Sequence, residues 1–429
     1  MPDVVTEGLP ARASATLTPA VHGRVVALQV RNARAWRTVA RGEENRAGEV
    51  RWRLDTTLTG QRLFRLRAHP TTTLPTYVSA TVRVQVATLQ RVSDGTDSAS
   101  QPTISDDGSV IAYTAEDPEG AHWPDIRLWR RTTGVVEVVT NGDGDSVDPA
   151  LSGDGSLLFF DSVANDLDGA HAHRDIFVRP VDGSGFTRLT SGNANSSLPH
   201  PTTDGSLVAF TSFATDFAPA TAPHLQIYIY DGALDQVSRV TNGDGNSDFP
   251  SISDDGGRVV FSSTATDLLG APAGDAWSDI FSAEGGVTTA LAAGDGDSEW
   301  TTMSRDGSTV AFQSLATDLL GKRTDLRRDV FVVRDGTIRR LGGRLLGGAQ
   351  PALSGDGSLI AFSSIGQDGL GRLVFRDLTG SSSYAVLPVA ALQPRASGTG
   401  RYVVFTTTDA LEPGDTDATP DVYLWDRGF

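Results

Sequence analysis

Three short loops of this 429-residue chain place side-chain oxygens two residues apart: Asp143 and Asp145, Asp244 and Asn246, and Asp295 and Asp297. Alternate spacing lets successive side chains turn toward one point, as calcium requires of its oxygen ligands. Asp415, Asp417 and Asp421 continue the pattern near the C-terminus. The spacing predicts a calcium-type set at these positions, with calcium the one cofactor in view. An EF-hand is excluded, because the twelfth residue counted from Asn141 is Ser152 instead of Glu and a β-type segment follows. The competing reading is that Asp, Asn and Gly form Asx-turns between strands, with no cofactor at all.

A second set consists of residue types that stack on sugars or anchor a peptide and its carboxylate: Trp123, His173, His224, Trp277 and Arg327, with Thr419 at the corresponding place. Each stands two residues before Asp125, Asp175, Asp279, Asp329 or Asp421, or before Gln226, which replaces Asp in one copy. These five residues are the candidate ligand-binding arc; the alternative is that they shield the loops that carry them. Catalytic signals are sparse. No G-x-S-x-G elbow occurs, and the S-x-D-G runs lack the alternate spacing of a sialidase Asp-box. His171, His173 and Asp175 are a candidate metal group, although Asp175 also reads as a strand-start residue. A further column, Asp166, Asp216, Asp267, Asp318 and Asp368, recurs in most copies, which suits a loop brace better than a catalytic group.

All these residues are positioned by one repeated unit. A turn glycine returns at Gly108, Gly155, Gly205, Gly256, Gly307, Gly357 and Gly400, at intervals of 43 to 51 residues. Each copy holds four strand-like segments, A to D; in the fourth they are predicted at 249–253, 258–263, 279–283 and 287–291. A fixed period with four strands per copy predicts an all-β, seven-bladed β-propeller. The last copy ends without a strand D, whereas Thr88 to Ser93, "TLQRVS", matches a strand D with no preceding A to C. That segment is expected to close the last blade and remove an exposed sheet edge.

The copies resemble the propeller repeats of the TolB-type family, which are distantly similar to WD-repeat propellers. The matching residues are the P-x-x-S-x-D-G turn (Pro149 to Gly155, Pro250 to Gly256, Pro351 to Gly357), the V-A-F-x-S strand (Val208 to Ser212, Val310 to Ser314) and the D-I/V-F-V strand (Asp175 to Val178, Asp329 to Val332). The resemblance covers about residues 86–429. It implies a propeller fold, a role in binding, and a bacterial, extracytoplasmic setting. Residues 1–85 lack the repeat and read as a small β-sandwich. They resemble bacterial immunoglobulin-like modules through Val26 to Gln29 and Trp36 to Val39. Alternation there turns Trp52, Leu54, Phe64 and Leu66 inward and Arg51, Arg53, Arg65 and Arg67 outward.

Composition narrows the functional classes. The chain has 46 Gly, 21 Pro and no Cys, which suits a turn-rich β protein and excludes disulfides and thiolate sites. No apolar run approaches a membrane helix, and no signal-type segment opens the chain. Residues 1–90 carry 13 Arg against 6 acidic residues, so the net charge of −17 places about −24 on the rest. An acidic propeller repels phosphate backbones, which excludes nucleic acid as the expected partner. The expected function is non-enzymatic recognition of a protein segment or cell-surface glycan on the loop face of the propeller. The alternatives are a carbohydrate-active enzyme, glycosidase or lyase, at the propeller mouth, and a calcium-dependent adhesive or structural module.

Overall fold

The computed structural model describes residues 4–6, 11–32, 35–54, 60–80, 82–117, 119–120, 122–183, 185–218, 224–269, 277–321, 327–341, 347–379, 384–412, 415 and 418–427. Regular structure among them is entirely β-strand, and no helix is long and apolar enough to cross a membrane. The chain divides into two compact units, Arg91–Leu424 and Met1–Gln90 with Trp425–Phe429.

In the larger unit six antiparallel four-stranded sheets follow one another, each built from consecutive strands. One of them comprises Ser247–Ile252, Arg258–Ser263, Asp279–Glu284 and Val287–Ala292, within a residue or two of the expected A to D segments. Leu392–Ala396, Tyr402–Thr407 and Asp421–Asp426 then form three strands of a further sheet, and Val82–Arg91 follows Asp421–Asp426 in its order. Just past that strand, the Val92 amide donates to the Val422 carbonyl at 2.8 Å.

Strand B explains why the sheets stack. It is buried at nearly every position and apolar from its second to its fourth, because both of its faces are covered by neighbouring sheets. Phe160, Phe210, Phe261, Phe312, Phe362 and Phe405 occupy the same place in successive copies and are fully buried. Five of them stack on the aromatic ring of the adjacent strand C: Phe160 on Phe177, Phe210 on Tyr228, Phe261 on Phe281, Phe312 on Phe331 and Phe405 on Tyr423. The clusters run from sheet to sheet. Val110 and Ala112 pack with Leu158 and Phe160, while Ile111 and Tyr113 pack with Tyr402 and Val404 at the other end of the unit. Truncating one such ring to Ala costs about 3–5 kcal/mol.

The first strands touch in a closed cycle: Ser98–Ile104, Ser146–Leu151, Ser196–Pro201, Ser247–Ile252, Ser298–Met303, Gly348–Leu353 and Leu392–Ala396, which meets Ser98–Ile104 again. A hydrogen-bond circuit at the A-to-B turns reinforces it. The Asp106 amide donates to Gly153, Asp154 to Thr203, Thr203 to the Asp254 carboxylate, Asp254 to Arg305, Arg305 to Gly355, Asp356 to Gly398 and Gly398 back to Asp106, all at 2.8 or 2.9 Å. The repeated turn glycine is required here twice over. Gly256 has φ +68°, and a Cβ on it would strike Leu207 of the preceding copy.

The smaller unit buries Val26, Leu28, Val30, Val50, Trp52 and Phe64. Its strands Ala11–Thr16 and Glu49–Leu54 pair with each other, and Val25–Asn32 lies between Ala35–Glu43 and Gly60–Ala68. Arg24 is paired with Glu44 at 2.8 Å inside it. Arg51 and Arg67 are exposed, but Arg65 donates to Gln29 at 2.9 Å and covers the Trp36 ring. The side chains of Arg53 and Leu54 lie outside the described residues.

Candidate functional site

Every strand A contains a bulge, and the bulges line a common cavity. In Ser146–Leu151, for example, Val147 pairs with Asp161 and Ala150 with Phe159, so Asp148 and Pro149 bulge opposite one residue. At this place stand Gln101, Asp148, Leu198, Phe249, Trp300, Gln350 and Gln393, with φ between 49° and 57°. Left-handed backbone is unfavourable for any side chain with a Cβ and most unusual for bulky ones. A strained conformation repeated once per sheet, with a different side chain each time, points to a functional surface.

The bulges are held by side chains of neighbouring repeats. The Gln101 amide N–H donates to Oε1 of Gln393 at 2.8 Å, Gln393 N–H to Gln350 at 2.9 Å, and Gln350 N–H to the buried Gln313 at 2.8 Å. Leu198 N–H donates to the Asp161 carboxylate at 3.3 Å, and Phe249 N–H to that of Asp248 at 2.8 Å. Except for Gln350, the bulge residues line a cavity of ≈ 250 Å³ together with Thr103, His200, Trp300's neighbours Thr301 and Thr302, and Arg395. Phe249 and Trp300 lie face to face within it, with centroids 5.1 Å apart and planes at 25°. At the A-to-B end Arg305 reaches Asp106 at 3.2 Å and Asp254 at 3.7 Å, and donates to the Pro201 carbonyl.

Four titratable groups in and beneath the cavity are shifted, Asp148, Asp161, Asp248 and His200. Burial pushes Asp148 above the ordinary carboxyl range against the help of Arg174 and Arg395. Asp161, wholly buried beneath it, is pushed further by burial and by the Asp148 charge, although Arg174 donates to it at 2.6 Å. Asp248 is raised by burial, with Asp148 and Glu299 adding to the shift. Burial and then the Arg305 and Arg395 charges push His200 down to about 3, so its ring is neutral. Its Nδ1 accepts from the Ile252 amide, which assigns the proton to Nε2, and Nε2 donates to Ser251 Oγ at 3.2 Å. That imidazole cannot take the serine proton, so His200 and Ser251 do not form a nucleophilic pair.

The loop residues expected from sequence lie elsewhere. Asp244 accepts from the Thr266 amide at 2.7 Å and hydroxyl at 2.8 Å, while Asp267 accepts from the Asp244 amide at 2.9 Å. Asp295 with Thr317 and Asp318 repeats this clasp, and Asp143 with Asn165 and Asp166 does so through backbone amides. Asp145, Asn246 and Asp297 turn to the other side: Asp145 pairs with Arg174 at 3.1 Å, and the other two accept from the amides of Leu225 and Ser278 at 3.0 Å. The alternate oxygens thus diverge into two braces. Asp415 accepts from the Tyr423 hydroxyl at 3.1 Å, Asp421 is bound to Ser93 and Arg91, and Asp417 lies outside the described residues. Among the described residues no three His, Asp or Glu gather as a metal group. His171 is held by the carbonyls of His173 and Ala164 at 2.7 and 3.0 Å. Trp123 and Trp277 are 56% and 46% exposed, Arg327 is exposed, and His173 and His224 are half-buried; none of the five lines the cavity.

No family model matches the chain, and no curated protein does. Solved structures are similar. An oligogalacturonate lyase from Vibrio parahaemolyticus aligns over 79% of this chain and 93% of its own, at a TM-score of 0.55 and 14% identity. The β-propeller domain of the Trilobed protease from Pyrococcus furiosus aligns over 77% and 95%, at 0.54 and 13%. The fold is a β-propeller. TolB from Acinetobacter baumannii is also among the similar structures, over 79% and 80%, at 0.45 and 17%. In a propeller the first strands surround the axis, so the cavity bounded by their bulges is the axial one. The sequence carried a signal for it: the residue before Pro102, Pro149, Pro199, Pro250, Pro351 and Pro394 varies within an otherwise repeated turn motif.

Proposed function

We propose that this protein is a recognition module that binds a carbohydrate, without transforming it, in the axial cavity of a seven-bladed propeller whose last blade is completed by the strand before the first repeat. In this reading residues 1–85 form a small sandwich appended to it. The observation that carries the proposal is the Phe249–Trp300 pair, two half-buried rings on adjacent bulges that present flat apolar area inside a cavity whose lining mixes aliphatic and proline side chains with amide, carboxyl and guanidinium groups. A flat apolar face among a few placed polar groups suits a sugar ring, whose C–H face and hydroxyls need these two kinds of surface. A carbohydrate-active enzyme has one observation in its favour, the raised pKa of Asp148 at the cavity wall. Asp161, its carboxyl neighbour, is fully buried and committed to Arg174 and Leu198, and Asp106, the other carboxyl lining the cavity, is paired with Arg305.

Glycan-array capture followed by titration calorimetry tests the proposal. Trp300→Ala is expected to weaken binding at least about tenfold, with the bound oligosaccharide recovered intact by mass spectrometry. The double variant Trp123→Ala/Trp277→Ala is expected to bind normally. The opposite pattern would move the site to the loop arc, and a shortened or unsaturated product would make the protein an enzyme.

A further inference from the structure

The wall of the cavity across from the aromatic pair is made of donors. Leu392–Ala396 stands three first strands from Ser247–Ile252 by one route round the cycle and four by the other. Gln393 and Arg395 of that strand line the cavity. The Oε1 atom of Gln393 is engaged by the Gln101 amide, which fixes the orientation of the side-chain amide and leaves its Nε2 hydrogens without a protein acceptor. Gln350 on the preceding bulge is fixed in the same way by the Gln393 amide. Arg395 donates one N–H to the Pro394 carbonyl at 3.0 Å and has no carboxylate within ion-pair distance among the described residues, although it is exposed to the cavity. Asp148 is the anion that acts on it from farther off, and Asp148 is already bonded to the Gln101 side chain.

We propose that the axial cavity selects acidic sugars, the carboxylate of a uronic acid residue being received by Arg395 with the side-chain amide of Gln393 while the ring's apolar face meets Phe249 and Trp300. This rests on the carbohydrate reading above and adds the ligand's charge to it. A guanidinium offers a fork of N–H groups matched to a carboxylate, and an unpaired one inside a confined space favours a ligand that brings the missing charge. Arg305, the other guanidinium lining the cavity, is already paired with Asp106 and Asp254.

The test is calorimetry of the full chain with galacturonate, glucuronate and mannuronate trimers, each against its carboxyl-reduced, neutral counterpart. At least one acidic trimer is expected to bind about tenfold or more tightly than its neutral form, with an affinity that falls as salt is added. Arg395→Gln is expected to abolish that preference, and Arg395→Lys to keep part of it. Equal binding of an acidic trimer and its neutral counterpart, or an unchanged preference in a folded Arg395→Gln variant, overturns the uronate assignment and leaves the carbohydrate reading standing. Binding of neither kind of trimer overturns the uronate assignment too, and if the glycan array is also blank the carbohydrate reading falls with it. The salt dependence of the unaltered protein supplies a measurement even if Arg395→Gln fails to fold.

Discussion

The hydroxyl of Ser93 donates to the carboxylate of Asp421, 328 residues later in the chain. The same hydroxyl accepts from the Val422 amide at 3.1 Å. This is the arrangement of Thr140 with Asp125 and Ile126, and of Thr190 with Asp175 and Ile176, within single sheets. The segment after Val82–Arg91 therefore reproduces, side chain for side chain, the end of a strand D. Ser93→Ala leaves the buried Asp421 short of a donor and is expected to cost about 1–3 kcal/mol, as is Thr140→Ala in its own sheet. Urea unfolding of both variants checks this. A neutral Ser93→Ala beside a costly Thr140→Ala would remove the closing role from this segment.

The acidic loops are expected to work as clasps. Asp244 and Asp267 hold each other's loops through reciprocal bonds, with the Asp244 carboxylate taking both Thr266 donors. Those hydrogen bonds also hold Asp244 and Asp295 below the usual carboxylate range. Asp244→Ala and Asp267→Ala should each destabilise, and the double variant should lose less than the two singles together, by about 0.5 kcal/mol or more. With its oxygens already occupied, the clasp needs no ion, and a chelator is expected to leave the melting temperature unchanged. A clear fall with chelator, reversed by calcium, would restore the metal reading of Asp143, Asp145, Asp244, Asn246, Asp295 and Asp297.

What the sequence made legible follows from what repetition preserves. The turn glycines, the buried strand-B phenylalanines and the "TLQRVS" segment could be aligned by eye because the same contact recurs in each copy and demands the same residue type. The cavity escaped for the opposite reason. A bulge fixes only the backbone there, so Gln101, Leu198, Phe249 and Trp300 share a conformation and no chemistry. Local rules also pointed away from it, since a residue before proline favours extended backbone and these residues are left-handed. The loop carboxylates are ambiguous in a different way: two-residue spacing is the same for convergent metal ligands and for side chains that brace two separate loops, and the partners of each oxygen bear on which it is.

The carboxyl pair under the cavity gives the last prediction. Burial raises both Asp148 and Asp161, so the folded chain holds their protons more tightly than the unfolded chain does. Their contribution is fully present below the unfolded value of about 3.9 and is lost as pH rises through the raised folded values. The turn residues Asp154, Asp204, Asp306 and Asp356 are lowered, and their contribution runs the other way, disappearing as the solution is acidified. Asp161→Asn removes the Asp161 share of the first effect and keeps the second. The variant also strands Arg174 with Asp145 alone, so at low pH it should be the less stable protein. As pH is raised from about 4 to 8, the deficit relative to the parent should shrink. Denaturant midpoints of the two proteins across this range decide the matter, and a difference that stays constant with pH would mean that Asp161 does not retain its proton above the unfolded value.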